Sequence, residues 1–475
     1  MMKKILDNIQ QKLNELLQKN SLVMLIVKKI DEHGGRAFLV GGAVRDLFLG
    51  KHVKDLDIEV HGLKSDELEN IISSFGPVSL VGKVFGVFRL HGLDIDWSLP
   101  RMDAAGRKPD VVIDPSMSIY EAFKRRDLTI NAMGIDLITG ELVDPFNGEQ
   151  DLRNKILRAP DKNLFVQDPL RFYRVMQFIG RFEMFPDQEL NDICKAMDIK
   201  KISKERIEEE FKKLFLKSEH PSLGIDWLNQ IGRLSEVLPE LYATIGVPQE
   251  LKWHPEGDVY EHTKQVLDAA AILEYDSEDE KLILMWAALC HDLGKVSTTE
   301  LVDGKYRSYE HENESEKLAK NLLKRITRNH DLIESVCKLA RYHMHPGQFI
   351  KNKANPPAYK RLAIKLMPYT NLKMLTKLFL VDRLGRNPKK GKPLTGIPED
   401  VEKFLKKVKD LNILTSIEEP VLQGRDFLDI VEAGPQLGKL VKIAYDIQIE
   451  DGIKDKDELK RRTLETLSFN STPKD

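Results

Sequence analysis

The stretch FLVGGAVRDLFLGKHVKDLDIEV, Phe38 to Val60, constrains the fold of this chain more than any other. Phe38-Leu39-Val40 is an apolar run that makes a short buried strand. Gly41-Gly42 interrupts it, and a helical pattern starts at Ala43. A strand that passes through glycines into a helix makes a phosphate seat, because glycine lets backbone approach an anion and the first helical N–H groups lack partners. Arg45, in the first turn, would add a charge-assisted contact. Asp55 and Asp57 then bracket Leu56 in an alternating run, LDIEV. Residues i and i+2 of a strand face the same way, so the two carboxylates converge on one point. Paired hard oxygen ligands beside a phosphate seat suit Mg²⁺ in phosphoryl transfer.

A chain of 475 residues exceeds one hydrophobic core and should divide into three or four domains. Its formal net charge is −2, so a nucleic-acid surface would have to be a local basic patch. Cys194, Cys290 and Cys337 show no CxxC spacing, which argues against a disulfide framework or a zinc ribbon. The apolar run Leu282–Cys290 is far short of the roughly 20 residues that span a bilayer. The first residues lack the unbroken apolar core of a signal peptide, and Ile5, Ile9, Leu13 and Leu16 share one face of an amphipathic helix. These features lead us to expect a cytoplasmic enzyme with no membrane association and no stable protein partner.

The pattern GG-x-VRD-x-x-LG-x-x-x-x-D-x-D closely resembles the nucleotidyltransferase signature of bacterial tRNA CCA-adding enzymes and poly(A) polymerases. The resemblance extends through the mixed segment from about 36 to 145. Residues Val78 to Asp96 read as a β-meander, and Asp96 resembles the family's third carboxylate better than Asp94 does. RMDAAGRKP, Arg101 to Pro109, reads as an exposed loop, shorter than the family loop that takes part in switching from CTP to ATP. KRRDLTINAMGIDL, Lys124 to Leu137, matches the family's RRDxTxNA motif. The resemblance implies that Arg126 contacts the nucleotide, while Asp127 and Asn131 hold the loop and sugar.

After Asp151 the pattern is helical nearly to the end. In QDPLRFYRVMQF, Asp168-Pro169 reads as a helix start, with the carboxylate as N-cap and proline at the first helical position. Asp168, Arg171 and Arg174 also lie three apart on one helical face. A carboxylate accepts and a guanidinium donates, which matches the amino group and ring nitrogen shared by cytosine and adenine and mismatches uracil and guanine. The family's motif here is EDxxR; this chain has Gln167 for Glu, and Gln177 where some relatives carry arginine.

A second chemistry begins at Trp253 with WHPEGDVYEHT and continues in WAALCHDLGK and VDRLGR. His262, the His291-Asp292 doublet and Asp382 have the order of an HD-type phosphohydrolase site, with His311 and His343 as further ligands for a second metal. Imidazoles and carboxylates from separate helices suit Mn²⁺, Ni²⁺ or Co²⁺. This part is similar to the HD domain of one branch of bacterial CCA-adding enzymes, which implies phosphatase, nucleotidase and 2′,3′-cyclic phosphodiesterase activity.

The expected architecture is α+β. It comprises an N-terminal helical extension (1–35), a polymerase-beta-like nucleotidyltransferase head (36–150), an all-α neck and body (151–250), an α-helical HD domain (251–400) and a helical tail (401–475). The expected function is addition of CCA to tRNA 3′ ends from CTP and ATP. Asp55, Asp57 and Asp96 would be catalytic. Gly41, Gly42, Arg45, Arg126, Asp127, Asn131, Asp168, Arg171 and Arg174 would bind nucleotide. Two alternatives stand beside it: poly(A), CC-only or A-only addition on the same fold, and an HD phosphohydrolase whose head only binds RNA.

Overall fold

The computed structural model describes residues 21–53, 56–80, 86–103, 111–389 and 392–470, with a few positions between 11 and 18. Asp55, most of the 101–109 loop, and Ile5, Ile9 and Leu16 of the expected N-terminal helix face lie outside the described residues. The chain divides into two compact units, Met1–Arg206 and Ile207–Asp475, a division that falls inside the expected neck and body segment.

The first unit is built on a seven-stranded sheet whose strands lie in the order Val78–Leu80, Val87–Leu90, Ile95–Ser98, Leu56–His61, Arg36–Val40, Gly134–Asp136, Leu142–Val143. The strands are β1 (Arg36–Val40), β2 (Leu56–His61), β3 (Val78–Leu80), β4 (Val87–Leu90), β5 (Ile95–Ser98), β8 (Gly134–Asp136) and β9 (Leu142–Val143). β1 lies between β2 and β8, antiparallel to both. β2 and β5 run parallel, in a register that sets Asp57 opposite Asp96. The expected meander is therefore β3-β4-β5, with its last strand carried across to the acidic strand. Helix α1 (Ser21–Glu32) buries Val23, Ile26, Val27 and Ile30, a period-3.6 stripe that meets β1. Phe38 and Val40 point to the other face and pack with Met117, Phe123 and Ala132.

Two expectations are corrected here. Arg101–Asp103, assigned to the loop, is strand β6 and pairs antiparallel with β7 (Val111–Ile113). At the other motif the helix starts one residue later than expected. Pro169 takes the cap position of the helix Leu170–Phe182, and Asp168 Oδ1 accepts from the Leu170 N–H at 3.1 Å.

The second unit is mainly helical. The helices Val259–Ala271, Glu278–Cys290, His311–Ile326, His330–Tyr342 and Leu372–Leu384 pack together, and each carries or borders an expected metal ligand. Trp286 is fully buried against Phe211 and Phe215. One hairpin, Thr299–Val302 with Lys305–Ser308, interrupts the helices; the helical reading after Asp151 missed it, as it missed the short parallel pairing of Ile156–Leu157 with Phe185–Pro186 in the first unit. In the tail, Gly434-Pro435 starts the helix Pro435–Asp451, and Phe427, Leu440, Ala444 and Leu459 form a small core of their own.

Candidate functional site

In the first unit the polypeptide leaves β1 through Gly41 at φ 69°, a left-handed conformation that glycine adopts without strain. A Cβ there would lie 2.7 Å from Arg126 Nη1, so the glycine also makes room for that guanidinium. Arg126 Nη2 donates to Glu59 Oε2 at 3.2 Å, and Glu59 Oε1 lies 3.0 Å from His61 Nε2. Burial would raise the Glu59 carboxyl; the His61 hydrogen bond and the Arg126 charge outweigh it and hold the group below its ordinary range. Glu59 follows Asp57 by two residues, so both point to the same side of β2. Asp57 is exposed, and Asp96 takes a 2.7 Å ion pair from Arg89. Asp57, Glu59, Asp96, Arg125, Arg126 and Arg171 are among the residues lining one cavity of about 400 Å³. It is a polar cleft lined by both carboxylates and guanidinium groups.

Behind the cleft runs a buried polar chain. Arg45 is 6% exposed; its Nη1 donates to Asn131 Oδ1 at 2.6 Å, and its Nε to Asp46 at 2.9 Å. Asn131 Nδ2 donates to Asp127 Oδ1 at 2.9 Å, and Arg174 Nε donates to Asp127 Oδ2 at 2.6 Å. Burial works against the Asp127 charge, but Arg174 and Asn131 keep its carboxyl below the usual range. Arg45 therefore ties the glycine turn to the RRDxTxNA segment; a phosphate contact would require it to leave these partners. Arg171 donates to the main-chain carbonyls of Leu164 and Arg125 at 2.8 and 2.6 Å. Asp168 is held by Arg206 Nη2 at 3.0 Å to each carboxylate oxygen. Thus Arg171 reaches the acidic cleft, whereas Asp168 is paired with Arg206, not with Arg171.

In the second unit all six expected ligands converge. His262 Nε2 lies 3.1 Å from Asp382 Oδ1 and 3.8 Å from Asp292 Oδ2, and His291 Nε2 lies 3.3 Å from that same Asp292 oxygen. Asp292 Oδ1 lies 3.2 Å from His311 Nε2 and 3.5 Å from His343 Nε2. The Nδ1–H groups of His291, His311 and His343 donate to the carbonyls of Ala288, Ser308 and Ala340 at 2.7–2.8 Å. Each ring thus turns Nε2 inward, as a metal-binding imidazole fixed from behind does. Glu256 Oε1 accepts from Nδ1 of both His262 (2.6 Å) and His254 (3.0 Å). Burial and the Lys295 charge lower the His254 pKa to about 3, so this ring is neutral near pH 7. Lys295 Nζ donates to Asp292 Oδ2 at 2.6 Å and to Gln249 Oε1 at 2.7 Å, and Arg386 pairs with Asp382 at 2.7 Å.

Family models match in three places. The Poly A polymerase head domain matches residues 37–158, and the HD domain matches 259–375. The probable RNA and SrmB-binding site of polymerase A matches 191–244. The multifunctional CCA protein of Mannheimia succiniciproducens is 31% identical over 448 residues, covering 90% of this chain and 95% of that protein. The chain belongs to the multifunctional CCA protein family. The Vibrio parahaemolyticus member is 30% identical over 449 residues, 91% of this chain and 98% of its own length. The fold is shared with the Bacillus stearothermophilus CCA-adding enzyme solved in complex with CTP (19% identity, TM-score 0.64, 94% and 97% covered). It is also shared with the Thermotoga maritima CCA-adding enzyme complexed with tRNA (20%, 0.57, 94% and 95%). The expected nucleotidyltransferase head, helical body and HD domain are thus the architecture of this family member.

The HD residues of this CCA-family chain fit divalent metal. His291 Nε2 and Asp292 Oδ1 are buried with no hydrogen-bond partner among the described residues, although they face other donors and acceptors at close range. Such atoms are costly unless a cation satisfies them. The ligands fall into two adjacent sets, His262/His291/Asp382 and Asp292/His311/His343, and Asp292 links them by turning Oδ2 to the first and Oδ1 to the second. Several supporting residues were not found from sequence. Glu59 had a signal, its i+2 spacing from Asp57, and Lys295 had one in its position a helical turn after Asp292. Glu256, His254 and Arg386 carried none that separates them from solvated charge, and Arg206 reaches Asp168 from 38 positions away.

Proposed function

We propose that this protein adds CCA to tRNA 3′ ends from CTP and ATP with its head, and hydrolyses phosphate esters with its HD domain. The observation that carries the first activity is the facing pair Asp57 and Asp96 on parallel strands, in one cleft with Arg126 and Arg171. Asp57 and Asp96, with Asp55 two residues before Asp57, would hold Mg²⁺. That ion, when bound, makes the 3′-hydroxyl a better nucleophile and steadies the leaving pyrophosphate. Arg126 would meet the nucleotide's phosphates above the Gly41-Gly42 turn. The Arg45–Asn131–Asp127–Arg174 chain holds that turn and the helix Leu170–Phe182 in one arrangement. Arg171 would donate to the ring nitrogen of cytosine or adenine, and Asp168, exchanging Arg206 for the base, would accept from the amino group. A cytoplasmic site of action fits tRNA as substrate. Among the described residues no helix is long and apolar enough to cross a membrane.

In the HD domain, His262, His291, Asp292 and Asp382 would hold one divalent ion, and Asp292, His311 and His343 a second. Nitrogen-rich sets of this kind suit Mn²⁺, Ni²⁺ or Co²⁺, which would supply an activated water and charge stabilisation at phosphorus. Lys295 stands against Asp292, placed to meet a phosphate oxygen. Substrates would be 2′,3′-cyclic phosphates and phosphomonoesters.

The test uses tRNA ending at the discriminator base, at C, or at CC, with each nucleoside triphosphate in turn. We expect C and A to be added, U and G refused, and extension to stop after one A. A long A tail, or arrest after CC with ATP present, would replace this reading with the narrower enzyme on the same fold.

A further inference from the structure

We propose that Trp253 stacks on the nucleobase of the substrate in the HD cavity, making this site selective for nucleotides and RNA ends over base-free phosphate esters. The inference rests on the hydrolase reading of the metal cluster and names the part of the site that selects its substrate. Asp292, His311, His343 and Asp382 line a cavity of about 700 Å³. A phosphate bound at the cluster fills a small part of such a volume, and the remainder is of the size that binds drug-sized ligands. Trp253 and Tyr306 line that same cavity, contributed by a turn and by the Lys305–Ser308 strand of the hairpin.

Trp253 is unlike the other tryptophans of the chain. Trp97, Trp227 and Trp286 are 0%, 4% and 1% exposed, whereas Trp253 is 59% exposed. Its turn is nevertheless fixed, since the N–H groups of Trp253 and His254 both donate to the Glu250 carbonyl at 2.9 and 3.0 Å. The next side chain, His254, is held by Glu256, which also orients the ligand His262. A large indole on a rigid turn, one residue from a group locked to the metal cluster, is placed at a set reach from the bound phosphate. Lys252 Nζ lies over one face of the ring, 5.2 Å from its centroid, so the opposite face is the one offered to a base. Every nucleobase has a face that such a ring can stack on, so the selection is for a base rather than for one base.

The test compares adenosine 2′,3′-cyclic phosphate with glycerol 2-phosphate, an ester with no ring to stack, using full-length protein loaded with Mn²⁺, Ni²⁺ or Co²⁺. Trp253→Ala should lower the ratio of kcat/KM for the nucleotide to that for the base-free ester about tenfold or more, through KM. Trp253→Phe should restore most of it. Equal losses on both substrates, or no change in the ratio, would overturn the proposal. A second readout needs no turnover. Trp253 is the tryptophan open to acrylamide quenching, so adenosine 2′,3′-cyclic phosphate should protect fluorescence that inorganic phosphate leaves exposed, and Trp253→Phe should abolish that protected component. If wild-type protein hydrolyses neither ester, the hydrolase reading fails, and protection by the nucleotide still decides whether Trp253 stacks on a base.

Discussion

Asp127→Asn tests whether the buried chain behind the head cleft has the structural weight given to it. Asp127 is 8% exposed and accepts from Arg174 at 2.6 Å, from Asn131 at 2.9 Å and from the Leu128 N–H at 2.8 Å. Asparagine keeps the shape but removes the charge, and its amide cannot accept from Arg174 and Asn131 together. Breaking a buried pair by removing one partner costs about 3–5 kcal/mol. The Arg174 side chain is 31% exposed and regains water, which brings the cost to the bottom of that range or just below it, roughly 2–3 kcal/mol. Hydrogen exchange in β1 and in the helix Leu170–Phe182, read by mass spectrometry on the full chain, should accelerate roughly 30- to 150-fold. The pH dependence has a definite sign. The folded carboxyl sits below its unfolded value, so its contribution is full above the unfolded pKa of about 3.9 and fades as pH falls through the lower folded value. The gap between wild type and variant should hold from pH 8 to 5 and close only under stronger acid. A difference under about 0.5 kcal/mol, the size of an ordinary surface change, would refute the reasoning. A gap that closes near pH 6 would refute it too.

Three further outcomes follow from local geometry. Gly41→Ala should strain the turn by about 1–2 kcal/mol and push Arg126 away, raising KM for CTP in a protein that circular dichroism shows folded. A Cβ at Gly294 would lie 2.1 Å from the His311 carbonyl oxygen, so Gly294→Ala should displace the helix bearing His311 and weaken Mn²⁺ binding in a calorimetric titration. Mn²⁺ at a hundred times its Kd should stabilise the second unit by about 2.7 kcal/mol, an effect that Asp292→Asn removes in thermal melts.

The two chemistries differed in how much could be read before folding. His262, His291, Asp292, His311, His343 and Asp382 were legible through the order they share with HD-type phosphohydrolases, and the fold brings all six side chains together. Glu256 was not, because an acid in a turn looks solvated until the fold brings His254 and His262 to it. In the head, the alternation at Asp57 named the strand and its face. Its parallel partner β5 is non-local, and only the sheet shows that Asp96 stands opposite. Arg45 illustrates the converse. Its position in a first helical turn suggested a phosphate contact, but Asn131, 86 positions away, and the neighbouring Asp46 hold its guanidinium. The spacing of Asp168, Arg171 and Arg174 gave a shared helical face, but each side chain found a different partner from outside that helix.

The central claim is that nucleotide addition belongs to the head acids and is independent of the HD cluster in the other compact unit. It is tested most directly by measuring, side by side, CCA addition to tRNA lacking its 3′ end by Asp57→Ala and by Asp292→Ala, both verified as folded. The account predicts that Asp57→Ala adds nothing detectable while still binding tRNA, and that Asp292→Ala adds C, C and A close to the wild-type rate. Near-normal addition by Asp57→Ala, or its loss in folded Asp292→Ala, would contradict it.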